Sequence, residues 1–184
     1  MTSFQPLRKK FFYLATASLA LALVGCGGGN DDDPEPTGET GVLRISNSTD
    51  PNINGFYGST NIGLTGVKDT STAGPNECAF NFDNVTKVSG DRTLGIIGDI
   101  RYAYPTNNNA TPALRGDHIK IGVTTFNFVK DGTNLERATV NLTLGTITFN
   151  NLLTRDSSGK TAELSGVLQL PDQASRDSAC RIVR

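Results

Sequence analysis

The chain has 184 residues, of which 17 are lysine or arginine and 18 are aspartate or glutamate, so its net charge at pH 7 is −1. It shows no polybasic patch of the kind that binds nucleic acid, so a nucleic-acid partner is not expected. It has one histidine and three cysteines, which is too few for a zinc ligand set once two cysteines are paired. We therefore predict no metal site and no bound cofactor.

The first 25 residues have the layout of a secretory signal. Arg8, Lys9 and Lys10 are basic, no residue of this segment is acidic, and residues 11–24 are largely apolar. A helix needs about 20 apolar residues to cross a bilayer, and this run is shorter. A basic start followed by a short apolar run is typical of a cleaved signal peptide, which we assign to residues 1–25.

The signal ends in Leu23-Val24-Gly25-Cys26, where small and apolar residues precede a cysteine. This pattern resembles the lipobox of bacterial lipoprotein precursors, and the resemblance covers about residues 1–40. It implies cleavage before Cys26 and a diacylglycerol on that cysteine, which with a further acyl chain anchors a protein stably. The residue after the cysteine is Gly27, and in this respect the chain is similar to lipoproteins that are sent to the outer membrane. An ordinary signal peptide with an incidental cysteine is the alternative.

Residues 26–41 are rich in glycine and acidic residues, which indicates a flexible, self-repelling tether. Calcium binding by Asp31, Asp32 and Asp33 is the alternative, but three adjacent carboxylates lack the spacing of a calcium loop. Residues 42–184 form one domain by size. Three basic residues lie in the signal and five acidic ones in the tether, which leaves 14 basic and 13 acidic residues in the domain.

The domain consists of short alternating apolar and polar segments separated by Gly, Pro, Asn, Asp and Ser. This pattern is typical of an all-β fold, and we predict an antiparallel β-sandwich or barrel of roughly 8 strands. The longest alternation runs from Arg92 to Tyr104 and predicts a central strand. After Pro171, residues 172–179 predict a short helical turn capped by Asp172.

The alternation changes phase within two segments. Apolar residues occupy odd-numbered positions from Ile119 onwards and even-numbered positions from Phe126 onwards. This change predicts a bulge or bend near Thr124-Thr125. A similar change at Gly145 predicts one long strand bent there. Asp131-Gly132 is a hairpin signal.

Phe82-Asp83-Asn84-Val85 and Phe149-Asn150-Asn151-Leu152 resemble each other, and a turn and a strand follow each. Two such matches arise easily in an Asn-rich β protein, so they do not by themselves establish a duplication.

The cysteines have different expected roles. Once Cys26 carries lipid, Cys78 and Cys180 remain as the natural pair in an oxidising compartment. Their bond would close a loop of about 100 residues, which stabilises a fold by roughly 4–5 kcal/mol less any strain. Two separate buried thiols are the alternative.

Tyr102 and Tyr104 lead into a run of three asparagines. Aromatic faces beside amide groups suit glycan recognition, so the candidate ligand-binding residues are Tyr102, Tyr104, Asn107, Asn108 and Asn109. In the alternative, both tyrosines complete the inward face of a strand, with their hydroxyls at its rim.

His118, the single histidine, follows Asp117. A hydrolytic triad needs a nucleophile, a base and an orienting group within hydrogen-bond reach. Adjacent strand residues point to opposite faces, so Asp117 is not expected to orient His118. We assign no catalytic residue and predict that the protein is not an enzyme.

The leading hypothesis is a lipoprotein anchored in the outer membrane, on its periplasmic face or at the cell surface, with a non-enzymatic binding or structural role at the cell envelope. Its partners would be the membrane and a glycan or an envelope protein. The second hypothesis is a β-module that binds a glycan or another small ligand. The third is an envelope hydrolase that depends on His118.

Overall fold

The structure, a computed structural model, describes residues 40–67, 77–103 and 112–180. In these ranges the chain forms ten β-strands, one α-helix and two short 3-10 helices. The strands are β1 (Thr40–Ser46), β2 (Gly55–Ser59), β3 (Gly63–Val67), β4 (Glu77–Lys87), β5 (Gly95–Ala103), β6 (Ala113–Ile121), β7 (Thr124–Phe128), β8 (Ala138–Asn141), β9 (Thr146–Arg155) and β10 (Thr161–Gln169), and the helix is α1 (Gln173–Cys180).

All strands belong to one antiparallel sheet that closes on itself as a barrel. β2 and β3 lie end to end along β4, and β7 and β8 lie end to end between β6 and β9. Ten strands therefore occupy eight positions, whose order around the barrel follows the chain. Pairing of β10 with β1 closes the ring. The all-β prediction is confirmed, and the barrel is the right one of its two alternatives.

Apolar side chains fill the interior. In β5 the inward residues Ile96, Ile100 and Tyr102 are at most 1 % exposed, as the alternation predicts. An eight-stranded barrel is just wide enough for side chains to fill it, and each large apolar side chain buried there contributes about 1.5–3 kcal/mol. The largest fully buried side chains are Tyr57, Tyr102, Phe80, Phe82, Phe126, Leu43, Ile45, Ile96, Ile100, Ile119, Ile147 and Leu152.

The barrel consists of two halves with the same local architecture, β1–β5 and β6–β10. In each half the second position is split between two strands, and the third position is a long strand with a bulge, β4 or β9. In each half the fourth position places a glycine opposite a phenylalanine. These pairs are Phe82 with Gly98 and Phe149 with Gly166.

The two similar sequence segments form the two bulges. The first and last residues of Phe82–Val85 are both buried, and so are those of Phe149–Leu152. Residues three apart in a strand can both point inward only if a bulge adds one residue. The extra residue is accommodated by Asn84 at φ 60° and Asn151 at φ 52°, a left-handed conformation that asparagine tolerates better than most residues. The sequence echo therefore has a structural cause.

The predictions of a bend at two places are wrong, because the chain makes a tight turn between two strands at each of them. β6 ends at Ile121 and β7 begins at Thr124, so the chain reverses at Gly122-Val123 and has no bulge at Thr124-Thr125. Likewise, Gly145 closes the turn between β8 and β9 and does not bend one strand. Gly122 at φ 58° and Gly145 at φ 66° adopt the left-handed conformation that glycine enters freely.

The hairpin predicted at Asp131-Gly132 is also wrong. β7 and β8 do not pair with each other but follow one another along the same position of the barrel. The residues between them include the 3-10 helix Asn134–Arg137. Gly132 has φ 53°, which supports a turn there. After this turn the chain continues as β8, at the same position around the barrel as β7.

Helix α1 begins as the sequence predicts. Asp172 accepts hydrogen bonds from the Ser175 backbone N at 2.9 Å and from Ser175 Oγ at 2.6 Å. The Ser175 side-chain bond, together with the backbone bonds, lowers the pKa of Asp172. This N-cap satisfies a donor that the first helical turn leaves without a partner.

α1 covers one end of the barrel. Arg176 is 8 % exposed, and it donates to the carbonyl of Pro171 at 2.6 Å and to that of Leu142, in the β8–β9 turn, at 3.1 Å. On its other side α1 contacts β3 and β4. β1 begins at the end of the barrel where β10 finishes, so the segment before Thr40 joins the barrel at this helix-covered end.

Candidate binding groove

A row of polar side chains runs across the outside of β3 to β7. The cross-strand pairs are Thr65 with Asn81, Asn81 with Asp99, Asp99 with His118, and His118 with Asn127. Directly opposed residues of antiparallel strands have their Cβ atoms about 4.5–5.5 Å apart. Neighbouring members of the row therefore lie side by side on the outer wall.

The bulge in β4 lies next to this row. Asp83 packs its carboxylate against Gly63, where a Cβ would collide with it. The side chain of Asn84 donates to the carbonyl of Asn61 at 2.5 Å, which ties the bulge to the residues before β3. Because residue 63 has no side chain, the space above it is left to the Asp83 carboxylate.

His118 is held by a chain of charged groups. Its Nδ1 lies 3.0 Å from Asp117 Oδ1, and Asp117 Oδ2 lies 2.6 Å from Nε of Arg101. A carboxylate only accepts hydrogen bonds, so Nδ1 carries the hydrogen. In the neutral ring, Nε2 is then left as a hydrogen-bond acceptor.

The expectation that Asp117 does not orient His118 is wrong. The pairing of β5 with β6 shifts register between Arg101 and Tyr102, and opposite this shift Gly116 has φ 120° and Asp117 has φ 144°. This irregularity interrupts the alternation and brings the Asp117 carboxylate to His118. A positive φ at a residue other than glycine costs about 1–3 kcal/mol and occurs preferentially at functional sites.

The bulge and the row enclose a groove of about 340 Å³ on the outer wall. Pockets that bind small molecules have volumes of about 300–1,000 Å³. Ile97, which is 46 % exposed, adds apolar surface, and the lining within the described ranges includes no lysine or arginine. The lining residues are Gly63, Thr65, Asn81, Phe82, Asp83, Ile97, Gly98, Asp99 and His118.

Acceptors predominate in the groove. Asp83, Asp99 and the His118 ring contribute acceptors to the lining, and Asn81 and Thr65 contribute side chains that also donate. Such a lining suits a ligand with several N–H or O–H groups. Thr65 has the only hydroxyl among the lining residues, and it lies three strand positions from His118, roughly 14 Å away. The oriented histidine therefore has no nucleophile within reach among the lining residues.

Tyr102, predicted to bind a ligand, belongs to the core. It is 1 % exposed, and its ring packs edge-on against Phe80 with the ring centroids 6.4 Å apart. Its ring is therefore closed to a sugar on the outer surface, and the alternative, that it completes the inward face, is correct. The other predicted positions Tyr104, Asn107, Asn108 and Asn109, together with Cys26, lie outside the described residues.

Several residues that line the groove follow no distinctive pattern in the sequence. Thr65, Asn81 and Asp99 occupy outward positions in their strands, where a polar residue is ordinary. Only the register between strands brings them together. The available signals were the single histidine, His118, and the repeated Phe-x-Asn-aliphatic segment, which marks the bulge beside the groove.

In the ranges that the structure describes, no three histidine, cysteine, aspartate or glutamate side chains are grouped so as to hold a metal ion. No helix in those ranges is long and apolar enough to span a membrane.

The chain matches no known protein family, no curated protein and no solved structure.

Proposed function

We propose that this protein is a bacterial lipoprotein, anchored in the outer membrane through lipid on Cys26, with a non-enzymatic binding role at the cell envelope. The proposal of a lipid anchor is supported by the order of features at the N-terminus, which are a basic start, an apolar run and the sequence Leu-Val-Gly-Cys. Residues 26–39 link it to β1, and a chain of that length spans at most about 50 Å when fully extended. The barrel therefore acts close to the membrane surface.

The observation that carries the binding role is the acceptor-rich groove with its oriented histidine. The barrel interior is filled by side chains such as Tyr57 and Phe126, so the ligand is expected on the outer wall. A strained Asp117 that places the histidine ring is difficult to explain as a contribution to stability. A small ligand rich in hydrogen-bond donors fits both the volume and the lining.

We also propose a Cys78–Cys180 disulfide. Cys78 is 2 % exposed in β4, a strand that α1 contacts, and Cys180 is the last residue of α1. Cys78 has an interaction within the protein, and Cys180 is the cysteine that remains to pair with it once Cys26 carries lipid. The bond would fasten α1 across the end of the barrel.

Cys26→Ala should abolish lipid attachment and membrane association, because the thioether needs the cysteine sulfur. Cells fed an alkyne analogue of palmitate should label the wild-type protein in the membrane fraction and leave the variant unlabelled. Cys180→Ala is the matched control and should keep the label, since it leaves Cys26 intact and Cys180 is the last residue of the C-terminal helix. A Cys26→Ala protein that still takes up label would refute the anchor.

A ligand of the groove should raise the melting temperature of the detergent-solubilised protein in a screen of sugars, amino sugars, polyamines and amino acids. Thr65→Arg puts a long side chain into the groove and should abolish the shift. Thr139→Arg, at an exposed position of β8 outside the groove, should leave it unchanged. Shifts that survive Thr65→Arg, or a screen without any shift, would count against the groove.

An envelope hydrolase is the second candidate, favoured by the Arg101–Asp117–His118 chain alone. Turnover of an envelope substrate that disappears in His118→Ala and persists in Asn127→Ala would favour it over binding.

A further inference from the structure

The second half of the barrel provides an internal comparison for the groove. Phe82 pairs with Leu64 and Gly98, and Phe149 pairs with Ala138 and Gly166. Each residue of the groove therefore has a counterpart at the same register position of the other half. The counterpart shows which features the barrel itself requires.

The position of Gly63 is taken by Arg137 in the second half. Arg137 directly precedes β8, and its guanidinium donates to the carbonyl of Asn151 in the bulge at 3.0 Å. A cationic side chain thus occupies the space over the second bulge. Over the first bulge glycine leaves the corresponding space to the Asp83 carboxylate, so an anion lies where the other half has a cation.

The charges differ as well. Asp83 corresponds to Asn150, Asp99 to Val167, and His118 to Val42. The second bulge forms without either carboxylate, so neither is needed to build it. The second half has the cationic side chain of Arg137 and no carboxylate at these two positions. The first half has both carboxylates, Asp83 and Asp99, and a glycine at the position of the cation.

We infer that the groove binds a small organic ammonium ligand, whose protonated amine donates to Asp83 and Asp99 and supplies from outside the cation that Arg137 provides in the other half. Charge-assisted hydrogen bonds of this kind are about twice as strong as neutral ones. This inference rests on the proposed binding function and names its ligand class. A diamine and an amino sugar both fit about 340 Å³ and share the ammonium.

Two cations on the neighbouring strands β5 and β6 leave room for such a ligand. Arg101 is engaged with Asp117, and Lys120 pairs with Ile97 at the rim without lining the groove. Asp99 has an interaction of its own within the protein. The ammonium adds to that interaction, and the His118 ring, which contacts Asp117, lines the same groove.

Calorimetric titration of the detergent-solubilised protein tests the inference with two matched pairs of probes. Putrescine is compared with 1,4-butanediol, and glucosamine with glucose, so that within each pair the main change is the charge. We expect at least one amine to bind about tenfold or more tightly than its neutral partner, and to bind less tightly as salt is raised. The tighter amine identifies the source of the ammonium.

Asp83→Asn should weaken amine binding about tenfold and still fold, because Asn150 fills the corresponding position of the other bulge. Asp99→Asn should act in the same direction. Glu136→Gln removes the same charge from an exposed site outside the groove and should have no effect. Equal losses in Asp83→Asn and Glu136→Gln, or no amine binding at all, would overturn the inference. Neutral probes that bind as tightly as the amines and are lost in Thr65→Arg would also overturn it, while the proposed binding function would stand.

Discussion

Replacing Gly166 by alanine should lower the free energy of unfolding by about 4 kcal/mol and loosen the seam at which the barrel closes. A Cβ at this position would collide with the carbonyl oxygen of Val42 and lie 3.0 Å from Cα of Leu43. Both atoms belong to the backbone of β1, so no side-chain rotation relieves the contact. Gly166 also has φ 120°. Overpacking and backbone strain each cost about 1–3 kcal/mol, and here both act on one seam.

The matched control is Gly98→Ala in the other half. A Cβ there would meet ring carbons of Phe82, and a side chain can move where a backbone cannot. We therefore expect a smaller loss, about 1–3 kcal/mol. Urea unfolding followed by circular dichroism gives both values. A loss at Gly166 no greater than that at Gly98 would show that the β1–β10 seam does not constrain the fold as described.

The strands themselves are predictable because burial alternates along each of them. The inward face of β5 and the core position of Tyr102 follow from a local pattern, since neighbouring residues point to opposite faces. Closure into a barrel is different, because it depends on the pairing of β10 with β1, more than 100 residues apart. No local pattern contains that pairing, so barrel and sandwich both stay open from the sequence.

The two wrongly predicted bends share one physical cause. A change of phase in the alternation arises from a bulge and equally from a reversal of the chain. At Gly122 and Gly145 the chain reverses, whereas at Asn84 and Asn151 it bulges. Glycine and asparagine both adopt positive φ, so residue type alone does not separate the two outcomes.

The groove was beyond prediction for a further reason. Its acidic groups come from β4 and β5 and its histidine from β6, and each position is ordinary within its own strand. The orientation of His118 depends on irregular backbone at Gly116 and Asp117. The regular-strand rule excludes that geometry, so a correct general rule led to a wrong local expectation.

Reducing the proposed Cys78–Cys180 disulfide should lower the free energy of unfolding by about 4 kcal/mol, because the bond closes a loop of roughly 100 residues in the unfolded chain. Dithiothreitol should produce this loss in the wild-type protein during urea unfolding. Cys180→Ser should show the same loss without reductant and no further change with it. Substitution at 180 is preferable, because Cys78 is buried and its removal would also leave a cavity.

The location of the bond adds a local effect to the global one. Arg176 fastens α1 to the β8–β9 turn, so the N-terminal half of the helix should stay docked after reduction while its C-terminal turn is released from β4. Hydrogen exchange should therefore accelerate at the end of α1 and at the start of β4, and much less at Leu142. Mass spectrometry without reductant should recover the two cysteine peptides as one species. Two freely alkylated thiols would refute the bond, and α1 would then depend on Asp172 and Arg176 for its position.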